Sequence, residues 1–464
     1  MNKFVFLVVL TFGVGVGGAA LRGPMVPLLI YYLYAVLRPQ FLWKWHLNQF
    51  PELGWSFYTA VAAIIAYPFW NVGTFGSRND PERRIHPPFT WAHQAMLLFF
   101  VWTTISYLTA EDQGRAWEYY WELCKVMMMY LLASQVVRSL WQVWYLYLTI
   151  TGAMAYIAFD LLDVYLTTGY LVLFKRGYAG LDNNGAALML AMGIPLCYFA
   201  WEATRGWYRW GFLLAIPAIA EVVMSSYSRG AMLSALFCAP LYLVYSRRRR
   251  FLLACYAAAA VGVPVVAGEE IKRRFFSVSE AKTGEDDSFN LRLMSWKAAA
   301  LIANDYPVFG CGVRCSNNII KWYGADMEGR TVHSLYLQFA ADIGWLGLFW
   351  YLVAVGLAFL AIWRARRRLW AVRTPEADRA VAMLGGIECA LITFLIGASA
   401  LSLETFELPY LLLFLGAQVW AICNAQVSPP PGTPRAFAPP NQVPVGRPRL
   451  ATAEPVAPGR GGAL

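Results

Sequence analysis

Charge is in short supply in this chain. Only 14% of its 464 residues are Asp, Glu, Lys or Arg, against about 25% in a typical soluble domain. A soluble globular fold is excluded on that ground. Histidine is scarcer still, at four: His46, His86, His93 and His333. With neither an HExxH nor a CxxC pair, no metal site is expected. Eight cysteines are scattered, six of them in apolar stretches where they serve as small hydrophobes. Cys311 and Cys315 sit four apart in a polar loop and leave a disulfide open, because spacing alone does not fix the geometry. No Walker loop is present, and no glycine-rich loop stands in a setting that would suggest nucleotide binding, so a nucleotide cofactor is not expected. No period suggests a solenoid or propeller.

What the chain has in quantity is apolar length. Hydrophobic residues make up 59% and aromatics 16%. Runs near the ~20 residues that cross a hydrocarbon core recur throughout. They fall near residues 3–20, 24–37, 52–70, 89–109, 123–138, 141–160, 183–201, 210–226, 229–246, 251–267, 334–363, 380–400 and 407–424. The fold expected is an all-α polytopic integral membrane protein of about 12–13 transmembrane helices, occupying residues 1–426.

Orientation follows from the arginines. Arg247–Arg250 and Arg364, Arg366, Arg367 and Arg368 mark the cytoplasmic side. Counting helices outward puts Arg78, Arg83, Arg84, Arg138, Arg205 and Arg209 on that side too. Residues 268–333 then form one large extracytoplasmic loop containing short amphipathic helices. The net charge of +10 is this bias plus a basic tail, and nucleic acid is not an expected partner. Residues 427–464 hold ten of the 25 prolines and no long apolar run. They read as a disordered cytoplasmic tail.

Three polar clusters then share the outer face. In Ser225-Ser226-Tyr227-Ser228-Arg229-Gly230, Arg229 falls in the first turn of an inward-running helix. A guanidinium beside free backbone N–H groups suits an anion; the bland alternative is an arginine reaching the interface. In the second cluster, Leu291, Trp296, Ala299 and Ile302 fit an amphipathic helix on the membrane surface that carries Arg292 at headgroup level. Third, His333 stands directly before a long apolar helix. An ordinary imidazole titrates near 6.5 and can accept a proton at working pH, although a helix-capping histidine would look the same. Gly344 and Gly347 suit close packing. Glu221 and Glu388 lie inside apolar runs, where ionised groups are costly. With Arg229 they could line the path of a secondary anion transporter.

Taken in order, several motifs resemble the O-antigen ligase and polymerase (Wzy-type) superfamily between roughly residues 170 and 365. They are the Ser-Arg-Gly turn, Arg292…Trp296, Tyr306-Pro307…Gly310…Gly312, and His333-Ser334…Tyr336-Leu337-Gln338…Gly344…Gly347. Asp182-Asn183-Asn184-Gly185-Ala186-Ala187 looks like the asparagine-containing helix start of that family. Together with His333-Ser334 it is most similar to the O-glycosylation ligases associated with exosortase A. Asp342 stands where the family often carries glutamate.

The resemblance implies a GT-C-like glycosyltransferase in a bacterial inner membrane, with its active site facing the periplasm. It would move a glycan from an undecaprenyl-diphosphate carrier to an acceptor hydroxyl on a glycan, lipid or protein, with inversion and without metal or cofactor. His333 matches the catalytic histidine, Arg229 and Arg292 the diphosphate-binding arginines. Asn184 and Arg314 are secondary candidates. A polymerase of the same superfamily is the nearest alternative.

Overall fold

The computed structural model describes residues 3–43, 47, 54–76, 82, 85–266 and 287–425. Arg78, Arg83, Arg84, His46, the first part of the expected loop and the proline-rich tail lie outside them. Among the described residues there is no strand, and every expected apolar run is helical. In chain order the helices are α1 (Lys3–Arg22), α2 (Met25–Leu37), α3 (Pro39–Leu42), α4 (Trp55–Asn71), α5 (Trp91–Leu108), α6 (Gln113–Val136), α7 (Leu140–Thr168) and α8 (Val172–Arg176). There follow α9 (Asn183–Ala203), α10 (Arg209–Ser225), α11 (Arg229–Tyr245), α12 (Arg249–Val266), α13 (Asp287–Asp305), α14 (Ser316–Ile319), α15 (Leu335–Trp370), α16 (Pro375–Gly397) and α17 (Glu407–Ala425).

Among the described residues six helices are long and apolar enough to cross a membrane: α1, α7, α9, α15, α16 extended to Ala400, and α17. α2 and α11 are apolar but shorter. The chain is thus an all-α multi-pass membrane protein. Of the 12–13 spans expected, six are met on both length and apolarity among the described residues, and the other expected runs are helical but shorter or less apolar.

α9 is the hub. It is buried along nearly its whole length and packs against α10, α11 and α16. Its small residues permit this: a Cβ added at Gly193 would meet Ile219 and Met154 at 3.2 and 3.5 Å. Short connections carry the chain from end to end, so polar groups segregate. One end holds the Arg247–Asp378 pair at 2.7 Å, the Arg366–Glu388 pair, and buried Arg138 bonded to Asn71. The other end holds the candidate residues.

Three helices that start at this second end are capped in the same way. The side chains of Asp182, Ser228 and Ser334 accept from Gly185, Ala231 and Leu337 N–H groups and open α9, α11 and α15. Asn184, Arg229 and His333 each lie within two residues of a cap. The positive ends of three helix dipoles therefore share one end of the bundle. The remaining described histidines are accounted for otherwise: His93 completes a capping box with Thr90, and His86 is exposed.

Candidate active site

The site begins with a broken helix. Gly344 interrupts α15 with φ 77° and ψ 166°, a conformation open in practice only to glycine. A break frees backbone groups that must find partners. The Ala341 carbonyl accepts from Cys311 N–H at 3.0 Å, and that of Asp342 from Gly312 N–H at 2.9 Å and Ser106 Oγ at 2.9 Å. The Ile343 carbonyl accepts from Trp102 Nε1 at 3.1 Å, while Trp345 N–H donates to Pro307 O at 2.9 Å. The 306–312 loop and the helix break are two sides of one backbone contact. A Cβ at Gly310 would lie 2.2 Å from the Asp342 carbonyl carbon, and one at Gly344 2.3 Å from Val308 O. Gly344 therefore serves close packing, as its sequence context suggests, but against a loop backbone.

Asp342 is buried and accepts from Gln338 Nε2 at 2.8 Å and Ser316 N–H at 3.3 Å. Gln338 also donates to Ser316 Oγ and accepts from Ser402 Oγ. This network fixes the first turns of α15. An aspartate is long enough for that anchoring task.

His333 sits one residue before the cap, half-buried, with φ 54°. Its carbonyl accepts from Trp296 Nε1 at 3.2 Å. Arg292 lies four residues before Trp296, hence on the same face of α13. The helix expected at the membrane surface packs one face along α15, burying Ser295, Ala298, Ala299 and Ile302, and leaves Leu293, Met294 and Leu301 exposed on the other. Burial pushes the His333 pKa below its ordinary value, and the Arg292 charge lowers it further. Asp182 opposes the shift, while Arg330 and Arg314 add to it. Both effects favour the uncharged imidazole, the form that can take a proton.

A cavity of about 370 Å³ opens beside it, lined by His333, Arg314, Asp182, Arg38, Tyr119 and the 401–406 connection. Arg314 Nη2 pairs with buried Glu404 at 2.9 Å, and its guanidinium lies 5.1 Å from the Tyr119 ring centre. Arg38 Nη1 donates to Ala179 O at 2.7 Å. Among the described residues five non-glycines have positive φ: Arg38, Ala179, Tyr227, Arg314 and His333. Four of the five line this cavity. Each such conformation costs on the order of 1–3 kcal/mol, and such strain clusters at functional sites. The fifth, Tyr227, directly precedes Ser228 and Arg229.

The sequence candidates divide accordingly. His333 and Arg314 line the cavity, and Arg292 acts on the imidazole from α13. Arg229 is exposed at the same end of the bundle but is not a lining residue. Asn184 is half-buried in the first turn of α9, and its neighbour Asp182 reaches the cavity. Sequence reading passed over Arg38, Asp182 and Glu404. Arg38 had left a signal: it is a cation between apolar runs on the face where the positive-inside bias leaves few. Glu388, a candidate for an anion path, is held by Arg366 and by Tyr245 OH at 2.9 Å. Cys311 and Cys315 are both buried free thiols. Among the described residues no three His, Cys, Asp or Glu side chains converge.

Compared with known proteins, the chain matches no curated protein. Residues 214–352 match the family model of O-antigen ligase. That stretch begins within α10, takes in the Ser225–Gly230 turn, Arg292, the 306–312 loop and His333, and ends beyond Gly347. The match supports a place for this membrane protein in the O-antigen ligase/Wzy superfamily, whose members carry out membrane glycan transfer of the ligase or polymerase type.

Proposed function

We propose that the protein is a ligase that transfers a glycan from an undecaprenyl-diphosphate carrier to an acceptor hydroxyl at the periplasmic face of a bacterial inner membrane. The observation that carries this reading is that His333 lines a cavity together with Arg314 and Arg38, with the charge of Arg292 acting on the imidazole. In the step proposed, the acceptor oxygen attacks the anomeric carbon from the face opposite the diphosphate. The new C–O bond forms as the bond to the diphosphate oxygen breaks, so the configuration inverts. The acceptor proton passes to His333, and the electron pair leaves with the diphosphate. Arg292, beside His333, and Arg229, at the same bundle end, offset the charge that develops on the leaving group. Arg314 and Asn184 take secondary contacts to phosphate or glycan. The side chains supply the positive charge, and no cofactor is required.

Transfer from a lipid-linked donor by the purified protein tests this. His333→Ala lowers the rate by about 10²–10⁴, the usual worth of a general base, with donor binding nearly intact. Arg292→Ala weakens donor binding as well. A chelator leaves the rate unchanged. Full transfer by both folded variants removes the mechanism. The Asp182–Ala187 and His333-Ser334 motifs favour the exosortase A-associated ligases within the superfamily. A ligase hands over one preformed glycan, whereas a polymerase would give a product ladder.

A further inference from the structure

The end of the bundle opposite His333 holds a cavity of about 660 Å³ that glycan transfer does not use. Five helix ends meet around it: α1 stops at Arg22, α4 at Asn71 and α6 at Val136, while α2 starts at Met25 and α7 at Leu140. The wall is built by close contact. Gly76 N–H donates to Ala20 O at 3.1 Å, and a Cβ at Gly23 would stand 2.6 Å from the Trp70 ring.

The lining is sorted by depth. Arg22, Glu82 and Gln142 stand at or beside the helix ends. Leu29 and Tyr145 mark the inner reach, four residues into α2 and five into α7, with Met25 and Val26 between. At 1.5 Å per residue that is about 6–8 Å toward the bilayer centre. Trp70, Trp141 and Tyr145 also line the cavity, and such side chains favour the boundary between headgroups and acyl chains. A polar mouth over an apolar floor fits a lipid rather than a soluble metabolite.

The charges at the mouth select the headgroup. Arg22 is exposed and makes no ion pair or hydrogen bond with any described residue, so its guanidinium is open to a phosphate. Glu82 is half-buried and held at the start of α7, accepting from Ser139 Oγ at 2.6 Å and from Gln142 Nε2. An anionic head would bring net negative charge against this carboxylate, whereas a zwitterion matches both groups. The rings do not form a cage for its positive end. Arg138 stands 4.6 Å from the Trp70 ring centre and Arg379 4.1 Å from that of Trp141. Those guanidiniums turn a cationic head toward Glu82. An acceptor of this kind favours a head that donates hydrogen bonds, as a primary ammonium does and a trimethylated one does not. We infer that the 660 Å³ cavity binds a membrane glycerophospholipid whose zwitterionic head sets its phosphate on Arg22 and a primary ammonium on Glu82. The site is separate from His333, and its occupation does not depend on the transfer reaction.

The test is native mass spectrometry of the full-length protein released from detergent. It is titrated with phosphatidylethanolamine, phosphatidylcholine or phosphatidylglycerol of identical acyl chains. Phosphatidylethanolamine binds about tenfold more tightly than the other two, the low end for one hydrogen bond to a charged group. Arg22→Gln weakens its binding by about tenfold, and Glu82→Gln removes its advantage over phosphatidylcholine. Arg22→Gln breaks no contact with a described residue and keeps the wild-type melting point, so it decides the matter if Glu82→Gln melts early. Equal binding of the three lipids overturns the inference, as does equal binding of phosphatidylethanolamine by wild type and Arg22→Gln. A preference for phosphatidylglycerol overturns it in favour of an anionic lipid, and one for phosphatidylcholine in favour of an aromatic cage. Displacement of bound lipid by free phosphoethanolamine also overturns it, and gives the cavity to a soluble ligand.

Discussion

The pair Arg314–Glu404 lets structure and chemistry be separated in one double-mutant cycle. The side chains are 15% and 4% exposed and their charged atoms are 2.9 Å apart. Neither Glu404 oxygen nor Arg314 Nε has a hydrogen-bond partner beyond this pairing. Glu404→Ala therefore strands a guanidinium in a dry setting, at a cost of about 3–5 kcal/mol for breaking a buried pair from one side. Arg314→Met strands the carboxylate at a similar cost. The double variant Arg314→Met with Glu404→Met removes both charges and keeps most of the volume in apolar form, a change that is often neutral. Arginine and methionine are both unbranched at Cβ, so the positive φ at position 314 costs the same in each. Thermal unfolding in detergent should rank wild type and the double variant together, with both single variants well below. Transfer is then measured on the double variant. If Arg314 touches phosphate or glycan, this well-folded protein still transfers slowly. Single variants as stable as wild type would refute the energetic argument, and full transfer by the double variant would remove Arg314 from the site.

Three further outcomes follow from the same geometry. Because burial and then Arg292 hold His333 below its ordinary pKa of about 6.5, the acid limb of the rate profile lies below that value; Arg292→Gln shifts it upward, Asp182→Asn downward, and an unmoved limb in both excludes His333 as the titrating group. In stability the sign is as follows: below about 6.5 the unfolded chain takes up the proton first, so this group costs stability as pH falls toward the folded value. Gly344→Ala places a Cβ 2.3 Å from Val308 O at φ 77°, so it should cost ~3 kcal/mol or more and abolish transfer; a normal melting point would contradict the packing described. Trp296→Phe removes the 3.2 Å hydrogen bond to the His333 carbonyl, worth about 0.5–1.5 kcal/mol; it should lower kcat with little change in KM, and a pure KM effect would show that the tether does not orient the imidazole.

The helices were legible because burial in a bilayer leaves a long, one-signed hydropathy signal. Their ends were less so. α6 begins at Gln113 rather than near 123, because its first turns carry Arg115, Glu118 and Glu122. α7 runs on past Asp160 and Asp163 to Thr168 for the same reason. The break at Gly344 was hidden inside an apolar run, since a single glycine there reads equally as a packing residue. His333 and Arg292 were found by motif, and the structure brings the second to bear on the first. Arg38, Asp182 and Glu404 come from three unconnected segments, and only tertiary packing puts the first two at one cavity and the third behind its Arg314. That juxtaposition has no local signature.

The interrupted α15 has a consequence for movement. Swinging the 306–312 loop outward would break three backbone hydrogen bonds to α15, Cys311 N–H to Ala341 O, Gly312 N–H to Asp342 O and Trp345 N–H to Pro307 O, and each group left buried without a partner costs about 1–3 kcal/mol. That loop behaves as fixed masonry. The 177–182 reversal, in which Tyr178 and Leu181 exchange backbone hydrogen bonds, hangs mainly on two side-chain bonds, from Arg38 and Tyr178. Of the two segments the reversal moves at lower cost, with its hinge at Gly177, whereas the 306–312 loop stays in place.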